Sequence, residues 1–309
     1  MNNKKLAILL ATYNGEKYLR QQIDSILNQS CSDYMLYIRD DNSIDSTKNI
    51  IKEYVLKYPE KIKEIKDNKT ANGARNNFLL LLKHVYELKK YSLFMFCDQD
   101  DVWQKNKIEL TINEYNKVID KNIPILIHTD LYVVDKNLNM INKSFIQYSK
   151  LRKDYINFNN YLIQNNVTGC TACINEKLVD LINFDIKYVI MHDWFFALIA
   201  SAFGQVIFID RSTIYYRQHG KNVLGAKKVN IYNRLVKNNT IKKDINNLFV
   251  QAENFRNIYY DLLTEENKKI IDAFCEIKNS NKLMKLKIIK KYKFYKQGFI
   301  RLVGEFVFI

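Results

Sequence analysis

The sequence predicts an α/β fold, a mainly parallel sheet covered by helices on both faces, and three observations carry that expectation. Short, wholly apolar runs such as "LAILLA" (6–11) and "YSLFMFC" (91–97) lack the alternation of a half-exposed strand and read as strands buried on both sides. Segments with apolar residues at helical spacing lie between these runs. Polar and acidic residues stand where the runs end, at the edge where parallel sheets bind their ligands.

"LAILLA" is the first strand, and "TYNGE" after it leads into a helix whose face is Leu19, Ile23, Ile26 and Leu27. "YMLYIRD" (34–40) is the second strand, and "DNSIDST" supplies turn and N-cap residues for a helix over 46–57. A weak strand at 62–66 precedes a helix in which Phe78, Leu81, Leu82 and Val85 share a face. "YSLFMFC" and "ILIHTD" (125–130) are the next strands, so Thr12-Tyr13-Asn14, Asp40-Asp41, Asp98-Asp100-Asp101 and Asp130 gather on one edge. Beyond 131 the pattern is mixed. Residues 165–175 read as a loop entering a strand, 192–204 as a helix, and 206–210 and 213–219 as two strands. No Pro/Gly/Ser-rich linker interrupts 1–225, which is expected to form one catalytic domain. In the remainder, 226–309, the residues Ile245, Leu248, Phe249, Ala252, Phe255, Tyr259 and Leu262 line one helical face, predicting a helical C-terminal extension.

A formal charge of +15 over 309 residues favours anionic partners such as nucleotide phosphates or phospholipid head groups. Nucleic acid is not expected, since no recognition module with a sequence signature is present. Five cysteines are an odd number for a disulfide framework and point to a reducing compartment. Cys170 and Cys173 form a lone CxxC without the second ligand pair that zinc requires, and are expected to be small buried residues behind Gly169. Leu6–Ala11 is too short for a signal peptide, and the uncharged apolar stretch Trp194–Ile209 falls short of the roughly 20 residues of a membrane span. A soluble or peripheral protein is expected.

Asp98, Asp100 and Asp101 occupy three of four consecutive positions behind a buried strand and must repel one another. Carboxylate oxygens suit hard cations, and Mg²⁺ or Mn²⁺ typically joins one or two of them to substrate phosphates. Such an ion relieves the repulsion and bridges a nucleotide diphosphate. The alternative is that the acids cap a helix after Trp103. For Asp40-Asp41-Asn42-Ser43 the alternative is turn chemistry, and for Arg75 a surface position at a helix start.

The segments "ILLATYNGEKYLRQQIDSILNQS", "IRDDNS", "NGARNNF", "FCDQDDVW", "TGCTACIN", "HDWFFALIASAFG" and "YRQHGKNVLG" together resemble a family 2 glycosyltransferase of the GT-A fold, most closely its rhamnosyltransferase-like bacterial members. The resemblance spans roughly 1–225 and implies a Rossmann-like, mainly parallel mixed sheet. It implies Asp100 as the principal ligand of Mg²⁺ or Mn²⁺, with His219 completing the metal site and Asp98 facing the donor ribose or sugar. Asp101 is left either to bind the metal through water or to cap the following helix. Thr12, Tyr13 and Asn14 are implied to touch base and ribose, and Asp41 to accept from the pyrimidine N3–H. Arg75 is placed near the diphosphate, Arg217 and Lys221 are candidates to pair with phosphate, and "GKNVLG" resembles a loop closing over the donor. Asp193 is implied as the general base, for which an N-cap aspartate is the alternative reading. His192 stands where the family usually has another acid, which opens the question of whether it shares the proton work.

The implied reaction is metal-dependent, inverting sugar transfer from a nucleotide-diphosphate donor, dTDP-L-rhamnose or otherwise a UDP-hexose. The acceptor is a glycan, polyprenyl-diphosphate-linked, in capsule, O-antigen or cell-wall synthesis at the inner, cytoplasmic face of a bacterial membrane. Eight Lys/Arg and no acids fall between Lys282 and Arg301. With Phe294, Tyr295, Phe299 and Phe306 they predict contact with an anionic membrane surface, against the alternative of a helix packed on the catalytic domain. Two other classes stay open: a catalytically inactive, membrane-attached scaffold or sugar-binding protein, and a nucleotidyltransferase, which releases pyrophosphate rather than nucleoside diphosphate.

Overall fold

The structure, a computed structural model, describes residues 6–298 except 68, 187 and 220–237, with only the backbone of 238–242. Strands β1 (Leu6–Thr12), β2 (Tyr34–Asp40), β3 (Ile62–Glu64) and β4 (Leu93–Cys97) pair in the order β3-β2-β1-β4, all parallel. β8 (Cys173–Asn175) runs antiparallel between β4 and β6 (Ile125–Val134), so β6 points the same way as the first four. β9 (Gln205–Arg217) lies parallel to β6, while β5 (Val102–Trp103) and β7 (Met140–Asn142) pair antiparallel at the margin. Mainly parallel is therefore the right description of a mixed sheet.

Every residue of β1 is buried, and the alternation of side chains explains how. Leu6, Ile8 and Leu10 enter one core with Leu19, Ile23 and Ile26 of α1 (Leu19–Leu27), α2 (Thr47–Lys57) and α4 (Lys107–Lys117). Ala7, Leu9 and Ala11 enter the other, against Phe78, Leu81 and Leu82 of α3 (Ala74–Glu87) and Phe195 and Phe196 of α8 (His192–Phe203). The start of α2 uses the predicted turn acids differently from an N-cap. Its N-cap Ser46 makes no side-chain cap bond; Asp45 accepts instead from the N–H (3.0 Å) and hydroxyl (2.5 Å) of Thr47.

Where two strands were expected at 206–210 and 213–219, β9 is one strand that ends at Arg217. Its register on β6 jumps from Thr129↔Ile209 to Asp130↔Ser212, leaving Asp210 and Arg211 in an exposed bulge that the sequence pattern reads as a break. Asp130, expected at the ligand edge, lies within β6 instead. Its carboxylate accepts from Ser144 and from the N–H groups of Leu131, Phe145 and Ile146, stapling the short helix α5 (Phe145–Tyr148) to the strand.

The C-terminal helices α9 (Asn238–Tyr259), α10 (Glu265–Ile277) and α11 (Lys282–Tyr292) share the core of α8: Leu248, Phe249, Phe255, Tyr259, Phe274 and Ile289 are continuous with Phe195 and Leu198. The Gln251 carboxamide accepts from the N–H of Ile190, just before α8, at 2.8 Å. The apolar face of α9 ends at Tyr259; Leu262, expected on it, sits in a 3-10 turn and is 62% exposed. The expected boundary at 225/226 lies outside the described residues.

Gly204 closes the turn between α8 and β9, and a Cβ there meets the Pro124 carbonyl oxygen at 1.9 Å. That carbonyl also accepts from the N–H of Gln205 at 3.0 Å, so the backbone cannot withdraw without losing the bond. Gly204→Ala is expected to destabilise the fold by about 1–3 kcal/mol, the usual cost of overpacking a rigid site, read as a lowered melting midpoint. An unchanged midpoint refutes this account of the turn.

Candidate active site

Two buried arginines organise the edge where β1, β2, β4 and β9 end. Arg39, near the end of β2, donates to Asp67 (3.0 and 2.7 Å) and to the Asn77 carbonyl oxygen (2.7 Å), and lies 3.8 Å from Asp41. Asp41 in turn accepts from the N–H of Ala71 at 2.6 Å and, more weakly, that of Gly73 at 3.4 Å. The loop before α3 is thus tied to the turn after β2. Thr12, expected to touch a nucleotide, is buried and donates its hydroxyl to Asp40 at 2.9 Å, so it supports the turn from below. Tyr13 is 57% exposed beside it. Asn14 takes a left-handed conformation (φ 48°) and accepts from Ile44 N–H with its side chain. Arg75 donates to the Val189 carbonyl at 2.5 Å, linking the start of α3 to the approach of α8.

Arg217, expected to pair with phosphate, is buried, and its guanidinium bonds the carbonyls of Asp100 (2.8 Å) and Lys136 (2.8 Å) and the Gln21 side chain (2.6 Å). Its N–H reaches Asp101 Oδ1 at 3.1 Å, and its guanidinium lies 4.4 Å from the Tyr18 ring centre. Strand β9 therefore holds the acid loop rather than presenting a phosphate ligand. Asp101 does not cap α4, whose N-cap is Asn106; it is wholly buried beside the Cys170 thiol, with no hydrogen-bond partner for Oδ2 among the described residues. Asp100 and His219 meet, Oδ2 to Nε2 at 2.7 Å, and the imidazole packs on Tyr18. Lys221 and the loop 220–225 lie outside the described residues.

Cys170 and Cys173 are buried as free thiols. Cys170 nevertheless does more than fill space: with Asp98 and Asp101 it offers ligand atoms within 4.8 Å of one another. Burial pushes the Asp98 carboxyl up to about 7, and the charges of Asp100 and Asp193 add to the effect, while the Cys170 thiol opposes it. Asp101 is raised too, by burial first and then by Asp100 and Asp98. Beneath these thiols lies Lys107, buried, its ammonium 4.7 Å from the Trp103 ring centre and lowered to about 8 by burial. Gln99 bridges from the acid loop to the Tyr13 backbone. Neither Lys107 nor Gln99 stood out in the sequence, Gln99 because it is uncharged and Lys107 because it reads as one lysine among many.

Asp193 lies in the first turn of α8 but is not its N-cap, which is Met191. Its Oδ1 accepts from the N–H of Trp194 (2.6 Å) and the amide of Asn165 (3.2 Å). Burial pushes its carboxyl up to about 7, opposed by the Trp194 and Gly169 N–H groups and Asn165. His192 points away from proton chemistry. It is packed among Phe78, Phe96 and Phe196, neither ring nitrogen has a partner among the described residues, and burial lowers it to about 3, so it stays neutral.

A twisted, mainly parallel sheet with acids converging at its carboxyl edge defines a GT-A-type glycosyltransferase architecture. The model of the family described as "Glycosyl transferase family 2" matches residues 7–181, more than half of the chain, and the chain belongs to that family. It is 33% identical over 230 residues to a dTDP-rhamnosyl transferase, RfbG, of Shigella flexneri, covering 70% of this chain and 74% of that protein. It is 25% identical over 200 residues to an Escherichia coli UDP-Glc:alpha-D-GlcNAc-diphosphoundecaprenol beta-1,3-glucosyltransferase, WfgD, covering 63% and 69%. Among solved structures, S. aureus TarS 1-349 in complex with UDP-GlcNAc superposes with a TM-score of 0.58 at 16% identity, over 88% of this chain and 71% of that one. The mannosyltransferase PcManGT from Pyrobaculum calidifontis, in complex with GDP-Man and Mn²⁺, gives 0.54 at 11% identity, over 93% and 73%.

The raised carboxyls make stability depend on pH. Between about 4, the ordinary carboxylate value, and about 7, the folded chain binds more protons at Asp98 and Asp193 than the unfolded chain does. Their contribution to stability therefore falls as pH rises across that window. Asp98→Asn is expected to melt several degrees above the unaltered protein at about pH 8 and together with it only below about pH 4. A stabilisation equal at both pH values contradicts the titration.

Proposed function

We propose that the chain transfers a sugar, with inversion, from a nucleotide-diphosphate donor to a hydroxyl of a growing, polyprenyl-diphosphate-linked glycan in bacterial surface-polysaccharide synthesis. The observation that carries this reading is Asp193, a buried carboxyl brought near neutrality beside Asp98 at the ligand edge. A base that takes a proton from an acceptor hydroxyl works best when its pKa lies near the working pH. Trp194 and Asn165 both hold Oδ1, which fixes the carboxylate's orientation at the ligand edge.

On the donor side, Tyr13 offers an exposed ring to a base or ribose, and Asp41 Oδ2, only weakly engaged by Gly73, offers an acceptor to a pyrimidine N–H. Asn14 fixes the turn between them, and Arg75 stands at the α3 side of the cleft. Asp100 and His219, whose Oδ2 and Nε2 meet, supply oxygen and imidazole donors that suit Mg²⁺ or Mn²⁺, and the neighbouring Asp98 and Asp101 carboxyls, raised by burial and by the charge of Asp100, are what a cation there would relieve. Once bound, a divalent cation there neutralises the leaving diphosphate. The donor proposed is dTDP-L-rhamnose, supported by the Shigella relative, with a UDP-hexose as the second reading, supported by the E. coli one.

Incubation with each nucleotide sugar and a lipid-linked acceptor, followed by assay of the released nucleotide, tests the proposal. Release of nucleoside diphosphate is expected; pyrophosphate, or no turnover of any donor, overturns it. Asp193→Asn is expected to lower kcat by about 10²–10⁴-fold with donor binding retained. In the unaltered enzyme kcat/KM is expected to fall below about pH 7, where Asp193 takes up its proton.

The same proposal places the enzyme peripherally at the inner, cytoplasmic face of the membrane. No described helix is long and apolar enough to cross a membrane. Phe294, expected in the lipid interface, is instead buried against Phe274, while Tyr295 accepts at its carbonyl from Tyr155; Phe299 and Phe306 lie outside the described residues. The support comes from α11, where Leu283, Met284 and Leu286 are exposed among Lys282, Lys287 and Lys290. Replacing Leu283 and Leu286 by Asp is expected to lower binding to phosphatidylglycerol vesicles without shifting the melting midpoint. Binding unchanged from that of the unaltered protein retires the membrane surface.

A further inference from the structure

Strand pairing between β1 and β4 ends at Leu10↔Cys97, and past that point β1 follows β2, pairing Thr12 with Asp40. The loop that carries Tyr13 and the loop that carries the acids therefore diverge with no backbone ladder between them. Gln99 replaces that ladder. Its Oε1 accepts from the Tyr13 N–H at 2.9 Å and its Nε2 donates to the Tyr13 carbonyl at 3.0 Å, so one primary amide satisfies both polar groups of one residue. The backbone donor and acceptor of Tyr13 fix which way the amide points.

Gly15 completes the contact. A Cβ at this position meets Gln99 Oε1 at 2.3 Å, Cδ at 2.6 Å and Cγ at 3.3 Å, so the chain lies flat against the amide with no room for a side chain. On its other flank the same loop is held by side chains around the start of α2: Ser43 accepts from the Asn14 N–H at 2.7 Å and Thr47 from the Gly15 N–H at 2.8 Å. Gln99 is flanked by Asp98 and Asp100, the first raised towards neutrality and the second bonded to His219.

We propose that Gln99 is a positioning residue that couples the two halves of the donor site: its amide ties the nucleotide loop 13–15 to the acid loop 98–101, with Gly15 as the surface it rests on. The inference rests on the donor reading above. Charge brought to the acids by a diphosphate and cation then restrains Tyr13 through two hydrogen bonds, and a nucleoside seated at Tyr13 restrains the acids in return, because coupling between sites is reciprocal.

The test is a double-mutant cycle at 15 and 99, read by calorimetric binding of thymidine diphosphate and uridine diphosphate with and without Mn²⁺, and by steady-state kinetics. Gln99→Met keeps the bulk and loses both hydrogen bonds. It is expected to raise the donor KM roughly tenfold, the scale of two partly exposed hydrogen bonds, with kcat changed less than about threefold and the melting midpoint unmoved. The factor by which Mn²⁺ tightens diphosphate binding is expected to shrink in the same variant. Gly15→Ala alone is expected to weaken binding by driving the amide aside, but to add nothing in a Gln99→Ala background, where the three atoms nearest the new methyl are gone. Additive losses, or an undiminished Mn²⁺ factor in Gln99→Met, overturn the coupling while leaving the donor reading intact. Failure of the unaltered protein to bind either diphosphate overturns the donor reading and this inference with it.

Discussion

The site depends on a guanidinium that never meets solvent. Three carboxylates in four residues repel one another, and Arg217 answers that repulsion by holding their backbone rather than pairing with each in turn. It bonds the Asp100 carbonyl and, through its own N–H, the Asp101 side chain, and spends its remaining donors on Lys136 and Gln21. The desolvation of a buried charge is opposed here by three oxygen acceptors and the face of Tyr18. Arg39 repeats the device near the end of β2, where Asp67, Asn77 and Lys69 receive it and Asp41 lies close by. Two strands of the sheet thus close on buried arginines that set the loops on which donor chemistry depends.

These arginines do not balance the site fully. Asp98 and Asp193 both stand near neutrality, and Asp101 keeps an oxygen without a partner among the described residues. Lys107, another buried cation near the thiols of Cys170 and Cys173, is itself lowered to about 8 by burial. A cluster short of positive charge holds its carboxyls above the usual carboxylate range and leaves one of them short of a donor among the described residues. Both properties come from one cause, the burial of more carboxylates than the fold supplies with partners.

Much of the fold was legible because burial on two faces leaves a plain mark. "LAILLA" and "YSLFMFC" have no polar position to hide, and both became strands of the double-sided core. The acid cluster stood out because charge directly behind such a run has few structural uses, whereas Asp193 was singled out only through the family resemblance. What sequence misread shares a different cause. β9 looked broken because its bulge puts Asp210 and Arg211 outside an otherwise buried strand. Asp130 looked like a strand end because the apolar run pauses there, yet the chain continues paired to Val134. Arg217 and Thr12 looked like ligand contacts because a residue's neighbours in sequence do not reveal which way its donors turn. Phe294 looked interfacial among lysines, and only the tertiary packing of α10 and α11 shows it seated against Phe274.

The shared core of α8 and the C-terminal helices has a consequence for how such a chain can be remodelled. The helix that bears Asp193 is gripped on one side by the sheet and on the other by α9, whose Gln251 holds the residue before that helix begins. The extension is therefore not a detachable module that localises an otherwise finished catalyst. A graft of a foreign C-terminal segment alters the seating of Asp193, and a change around Asp193 alters what the extension must fit. The helix that bears Asp193 and the C-terminal extension must change together in this chain, because a single hydrophobic core holds both.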